Sequence, residues 1–146
     1  MKTLKPGFSS TLGIEYTEVS PTRVVAAMPI TPAILQPYGF VHGGATIALL
    51  ESVASVGAEE SVDLERERPF GIEVQVRHRK SGVSGMLRGV AVLDRIEGRK
   101  QFWAVAAYDD GGDVVSDGEI VTKIVSLERL AEKEREREAA KRTAGE

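Results

Sequence analysis

A single carboxylate, Glu51, stands in the middle of an otherwise apolar stretch, ATIALLESVASVGA. Withdrawing an ionised carboxylate from water costs free energy unless a partner neutralises it or chemistry uses it. On a helix its neighbours three and four residues away are Ile47, Ala48, Ala54 and Ser55, so no basic side chain shares its face. Two readings stay open: a structural pair with a strand residue such as Arg77 or Arg79, or a functional carboxylate.

Directly upstream, His42-Gly43-Gly44 opens the same stretch. The first amides of a helix have no internal partner and lie at the positive end of its dipole, so a negative oxygen is stabilised there. With no Cβ in the way, a carbonyl can approach the Gly43 amide, and Gln36 and His42 are polar groups able to hold the loop or the carbonyl. The plain alternative is a helix start with a histidine that pins a loop. Gly43 and Glu51 are eight residues apart, about 12 Å along a helix, too far for both to act on one carbonyl carbon. Two helices packed antiparallel across a two-fold axis would bring Glu51 of one subunit beside Gly43 of the other. The spacing therefore favours a dimer with two shared sites.

The elements that must position these groups are legible in outline. Two β-rich stretches, 12–19 and 22–30, are split by Ser20-Pro21 and predict an antiparallel hairpin. The segment TPAILQPYGFVHGG is too rich in Pro and Gly for a regular element and too apolar for a solvated loop, so it should cover or line something. A helix is expected over 44–58, buried because it is apolar on nearly every face. Alternating strands follow at 70–82, 85–96, 101–108 and 114–125. The expected fold is α+β: a curved antiparallel sheet of about six strands wrapped around one central helix. Residues 1–125 make one domain. Residues 126–146 form a charged helical tail, with Glu132 and Arg135, and Glu138 and Arg142, at pairing distance on a helix.

Composition narrows the function classes. The chain has 146 residues, 42% hydrophobic and 28% charged, which is ordinary for one globular domain. With no cysteine, disulfides, thiolate metal sites and Cys nucleophiles are excluded. A net charge of −3 provides no general field for nucleic acid or an anionic membrane. No apolar run approaches the roughly 20 residues of a membrane span. A soluble, cytoplasmic protein is expected, with no nucleic-acid or membrane partner. With only His42 and His78 available, a histidine-rich metal site is not expected. No P-loop, dinucleotide fingerprint or Ser-His-Asp signature is present.

The run QPYGFVHGGATIALLESVAS closely resembles the core motif of the hotdog-fold acyl-CoA thioesterases. Its Glu51 is similar to the branch of the helix-carboxylate 4-hydroxybenzoyl-CoA thioesterase and the 1,4-dihydroxy-2-naphthoyl-CoA thioesterase; the related phenylacetate-pathway branch usually carries Asp there. The resemblance extends from about residue 8 to residue 125, through GIEVQVRHRKSG and GRKQFWAVAAYDDGGDVV, and omits the tail. It implies a hotdog fold and hydrolysis of an acyl-CoA to free acid and CoA, with no metal or organic cofactor, by dimers that usually pair into tetramers. By the same resemblance Glu51 is the catalytic carboxylate, the Gly43 amide polarises the thioester oxygen, Gln36 and His42 orient the thioester, and Ser55 helps place water or the acyl group. Gly71, His78, Arg79, Lys80, Ser81, Arg95, Arg99 and Lys100 match segments that contact CoA. The bland reading of the basic residues is edge-strand charge that blocks aggregation, and Glu97 departs from the pattern by adding a negative charge beside them. Ile34, Leu35, Tyr38 and Phe40 suggest an apolar pocket for an aryl or medium-chain acyl group. A hydratase or dehydratase of the same fold would need a histidine on the helix or a Gly-Asp-x-Asn-x-x-His motif. A non-catalytic acyl-CoA-binding module would have no need of Glu51.

Overall fold

The computed structural model describes residues 7–145. In chain order they form α1 (Phe8–Thr11), β1 (Glu15–Val19), β2 (Arg23–Pro29), a 3-10 turn (Pro32–Ile34), α2 (Gly43–Glu60), β3 (Glu67–His78), β4 (Met86–Glu97), β5 (Lys100–Tyr108), β6 (Val114–Ser126) and α3 (Leu127–Ala144). The six strands make one antiparallel sheet in the order β1-β2-β4-β5-β6-β3. α2 lies across one face and touches every strand. This is the curved sheet around a central helix that the alternation predicts.

Alternation decides which side chains meet the helix. Val24, Ala26 and Met28 of β2, Leu87 and Ala91 of β4, and Trp103, Val105 and Ala107 of β5 face Leu49, Leu50, Val53, Ala54 and Ala58 of α2 in one buried core. Gly57 passes directly over the Trp103 ring, where a Cβ would collide with it. A chain of buried and part-buried hydrogen bonds fixes the C-terminal end of the helix. Trp103 Nε1 donates to Thr122 Oγ1 (3.0 Å), whose hydroxyl donates to Gln101 Oε1 (3.1 Å); Gln101 Nε2 donates to Ser61 Oγ (2.8 Å), and that hydroxyl to the Ala58 carbonyl (2.7 Å). Among the described residues no buried side-chain nitrogen or oxygen lacks a partner.

Several expectations need correction. β1 starts at Glu15, not at residue 12, because α1 precedes it and Gly13, at φ 72°, turns the chain between them. α2 begins one residue earlier and ends two later than expected. It is also not buried all round: Ile47, Ala48, Glu51, Ser52, Ser55 and Val56 form a half-buried face turned away from the sheet core. β3 ends at His78, after which Arg79 and Lys80 both donate to the Val115 carbonyl. The loop before α2 holds the short 3-10 turn and a bridge from Leu35 to Val41. The tail is helical and none of its residues is buried. Its described ion pairs are Arg129–Glu132 and Glu134–Arg137, in place of the two pairs expected. Among the described residues no helix is long and apolar enough to cross a membrane.

Candidate active site

His42 is the N-cap of α2, its Nδ1 accepting the Gly44 amide at 2.9 Å. That bond requires Nδ1 to be unprotonated. The Ala45 and Thr46 amides donate to the His42 carbonyl at 2.9 and 3.4 Å. Among the described residues the Gly43 amide alone in this turn has no acceptor, so one donor at the positive end of the helix dipole stays unclaimed.

The preceding loop is closed by Gln36. Its Oε1 accepts the Tyr38 amide (2.7 Å), its own amide donates to the Phe40 carbonyl (2.8 Å), and its carbonyl accepts the Gly39 amide (3.0 Å). The Gln36 Nε2 donor has no acceptor among the described residues. Two bonds pin the loop ends, His42 N–H to the Ile34 carbonyl (2.8 Å) and Val41 N–H to the Gly82 carbonyl (2.9 Å). Of the four residues expected to line an acyl pocket, Ile34 is buried and Leu35 half-buried, while Tyr38 and Phe40 are exposed.

Glu51 is half-buried, two turns along α2. The structural partner expected for it is not found: Arg79 pairs instead with Asp117 at 3.0 Å, and Glu51 makes no ion pair among the described residues. Its carboxylate lies against Gly71 of β3. Glu51 and Ser55 line a 640 Å³ cavity between α2, α1 and β1, together with Ser9, Tyr16 and Ser52. Sequence reasoning missed those three. Ser52 adjoins Glu51, but only the fold shows α1 and β1 returning to that face of the helix.

A separate 190 Å³ cavity joins Gly43 to His78, Lys80 and Ser81. A Cβ on Gly43 would lie 2.7 Å from His78 Nε2, and His78 Nδ1 is bonded to Ser116 Oγ at 2.7 Å. The two cavities share no residue, so a single chain does not bring the unclaimed amide and the carboxylate together.

The five basic residues do not form one cluster. Arg79 and Lys80 sit beside Val115, whereas the Arg99 carbonyl accepts the amide of Ile124; nine residues of β6 separate the two groups, roughly 30 Å along a strand. Four of the five are held by carboxylates. Arg79 pairs with Asp117, Lys80 with Asp109 (2.6 Å) and Asp113 (2.8 Å), Arg95 with Asp94 and Glu97 (both 3.0 Å) and Glu119 (3.5 Å), and Arg99 with Glu67 (2.8 Å). Arg95 also lies 3.8 Å over the Phe102 ring. The Asp109 and Asp113 carboxylates hold the Lys80 ammonium well above its ordinary pKa, and Lys80 in turn holds the Asp109 carboxyl below its own. Lys100 makes no ion pair among the described residues. No group of three or more His, Asp or Glu side chains among them is arranged to hold a metal.

The model of the thioesterase superfamily matches residues 38–116, the span from the Gln36 loop through β5 into β6. A 1,4-dihydroxy-2-naphthoyl-CoA hydrolase of Listeria monocytogenes is 32% identical over 104 residues, covering 71% of this chain and 84% of that one. The proofreading thioesterase EntH of Cronobacter turicensis is 33% identical over 101 residues, covering 69% and 73%. A thioesterase from Staphylococcus aureus superposes with a TM-score of 0.80 at 26% identity, covering 82% of this chain and 98% of that one. The sheet, the helix it wraps and the matched span agree, and this chain belongs to the thioesterase superfamily as a thioester hydrolase of the hotdog fold.

Proposed function

We propose that the protein hydrolyses an aryl- or medium-chain acyl-CoA to the free acid and CoA, in a homodimer whose two sites each combine groups from both subunits. Gly43, Gln36 and His42 come from one subunit, Glu51 and Ser55 from the other. The Gly43 amide receives the thioester oxygen as negative charge builds there, Gln36 Nε2 supplies a second donor, and His42 holds the turn that aims the amide. Glu51 either attacks the carbonyl carbon, giving a mixed anhydride that water then opens, or takes a proton from the attacking water; in both routes the C–S bond breaks and the thiolate leaves. Ser55, one turn along, orients water or acyl group. Gly71, His78, Arg79, Lys80, Ser81, Arg95, Arg99 and Lys100 contact CoA, the separated groups of cations reaching one CoA from different subunits, its phosphates competing with the carboxylates that hold four of these cations.

The observation that carries the reading is the pair of unclaimed groups on one helix, the Gly43 amide and the Glu51 carboxylate, in cavities that do not meet within a chain. Two further facts support it. The Staphylococcus aureus relative has been crystallised with a glutamine and with a glutamate replaced by alanine, fifteen positions apart in that chain, as Gln36 and Glu51 are in this one. The long edge strand β3 also carries Phe70, Ile72 and Val74 exposed at 45%, 47% and 38%, an unpaired apolar edge suited to a second copy. Such dimers would pair again into tetramers, and the enzyme would work in the cytoplasm. A hydratase is disfavoured because α2 carries no histidine.

The test is thiol release from a panel of aryl and aliphatic acyl-CoAs by the native protein and Glu51→Ala. Release that falls by orders of magnitude in the variant supports the reading. Equal release by both would remove Glu51 from the chemistry, and tight CoA binding with no release would leave a binding module. A single turnover in 18O-labelled water reports the anhydride route where water opens it at the Glu51 carboxyl carbon, since only then does the product carry a protein carboxylate oxygen and Glu51 the label.

A further inference from the structure

We infer that Thr46 is a further catalytic residue, its hydroxyl donating to the thioester oxygen beside the Gly43 amide, so that charge building there is held from two positions on one helical face. The inference rests on the reading that this oxygen is received at Gly43. Thr46 is 2% exposed, yet its hydroxyl makes no hydrogen bond among the described residues. A helical threonine commonly bonds back to a carbonyl one turn earlier; here the His42 carbonyl takes the Ala45 and Thr46 amides instead. Among the described residues every side-chain oxygen wholly shut off from solvent has a partner. The sliver of surface that Thr46 keeps therefore includes its oxygen, open to the 190 Å³ cavity that Gly43 and Thr46 both line. Residues three apart share a helix face, and a side chain leans toward the N-terminus over the preceding turn. The hydroxyl thus lies toward the unclaimed Gly43 amide.

The other groups on the cavity wall decide what it binds. Ser116 is fully buried, and its hydroxyl has one partner among the described residues, His78 Nδ1 at 2.7 Å. A buried hydroxyl proton needs an acceptor, so Ser116 donates and Nδ1 is the bare nitrogen. The neutral ring then carries its proton on Nε2, which faces the first turn of α2, 2.7 Å from where a Cβ on Gly43 would lie. The Lys80 ammonium is on the same wall. A cavity walled by the Gly43 amide, the His78 ring N–H and an ammonium receives an acceptor, and toward such a group the Thr46 hydroxyl turns its proton. A thioester oxygen is an acceptor that strengthens as it becomes an oxyanion, so the Thr46 bond tightens toward the transition state and favours turnover over binding.

Two readouts on the full-length protein test this. In steady-state kinetics on the acyl-CoA turned over fastest, Thr46→Val keeps the shape of the side chain and removes the hydroxyl. It is expected to lose about tenfold or more in kcat with KM within about threefold, while Thr46→Ser stays within about threefold of native in both. The second readout is the infrared carbonyl band of phenacyl-CoA labelled with 13C, a thioether that is not hydrolysed and whose ketone oxygen stands in for the thioester oxygen. A hydrogen bond weakens the C=O bond, so the band should lie at higher frequency on Thr46→Val and Thr46→Ala than on native protein or Thr46→Ser. Its position belongs to the bound molecules alone and is insensitive to partial loss of folded protein. A band that neither variant moves, a native protein that takes up no analogue, or a loss confined to KM overturns the inference. Native turnover with an unmoved band sinks only the inference; a moved band without native turnover leaves Thr46 as the carbonyl donor and sinks only the thioesterase reading.

Discussion

A methyl group placed on Gly71 would lie 2.6 Å from Glu51 Oε1, so β3 meets α2 at the carboxylate itself. The obstacle is the free end of a flexible side chain, so Gly71→Ala would displace the carboxylate and leave the backbone in place. Stability should change by no more than about 1 kcal/mol. The kcat should fall about 10- to 100-fold, because a shift of roughly 1 Å in a reacting group is costly. Steady-state kinetics beside a thermal melt check this; a large loss of Tm with unchanged kcat would contradict it.

Glu51→Gln keeps the shape of the side chain and removes its charge. With no ion pair to lose among the described residues, the variant should melt at the native temperature or slightly above it. Its kcat should drop by about 10³-fold with a much smaller change in KM. A fall in Tm of many degrees would mean that Glu51 has a structural partner after all.

Gly43→Pro removes the unclaimed amide at the first helical position, where proline is tolerated, and the extended backbone of His42 (φ −63°, ψ 127°) is compatible with a following proline, whose Cβ displaces the His78 ring from its 2.7 Å approach. The expected loss is about 10²-fold or more in kcat with the helix retained by circular dichroism. Mixed and refolded at equal concentration with Glu51→Ala, this variant should regain about a quarter of native activity: half of the dimers are mixed, and each has one intact site. No recovery would sink the shared site.

The Lys80 bridge to Asp109 and Asp113 sets a pH window. Asp109 has its pKa lowered from 3.8, chiefly by Lys80, so its contribution is present above the ordinary carboxylate range and is lost as pH falls through the lowered value. Lys80 has its pKa raised above 10.5, so its contribution is present below 10.5 and is lost as pH rises through the raised value. The Tm difference between native protein and Lys80→Ala should therefore be flat from about pH 5 to 9 and close only in strong acid or strong base. It should be small, since the bridge is exposed to solvent.

Removing residues 131–146 deletes most of an exposed helix from which no side chain is buried. The kcat/KM should stay within about twofold, since nothing in the two cavities comes from that segment. Kinetics on the shortened chain would show whether the tail is separable.

Much of this was legible in the chain because it depends on neighbours in sequence. The lone charge of Glu51, the glycines after His42 and the alternation of β4 to β6 are local patterns, and they located α2, its N-terminus and the sheet. What was not legible depends on residues far apart in sequence. The carboxylates that hold Arg79, Lys80 and Arg99 stand 29 to 38 positions away, so no local pattern pairs these cations. Ser9 and Ser52 are 43 positions apart and meet only because Gly13 turns α1 back over α2. Placing β3 at the sheet edge likewise needed the strand order, which alternation cannot give.

Trp103 is the only tryptophan in the chain, fully buried beneath Gly57 with its indole nitrogen bonded to Thr122. Its fluorescence is therefore an optical gauge of how α2 sits on the sheet, emitting at short wavelength while the ring is dry and shifting to the red once the helix lifts and water enters. Since Gly43 and Glu51 ride on that helix, a variant that loses turnover while keeping the native emission has been altered in its chemistry, and one whose emission moves has lost its scaffold first.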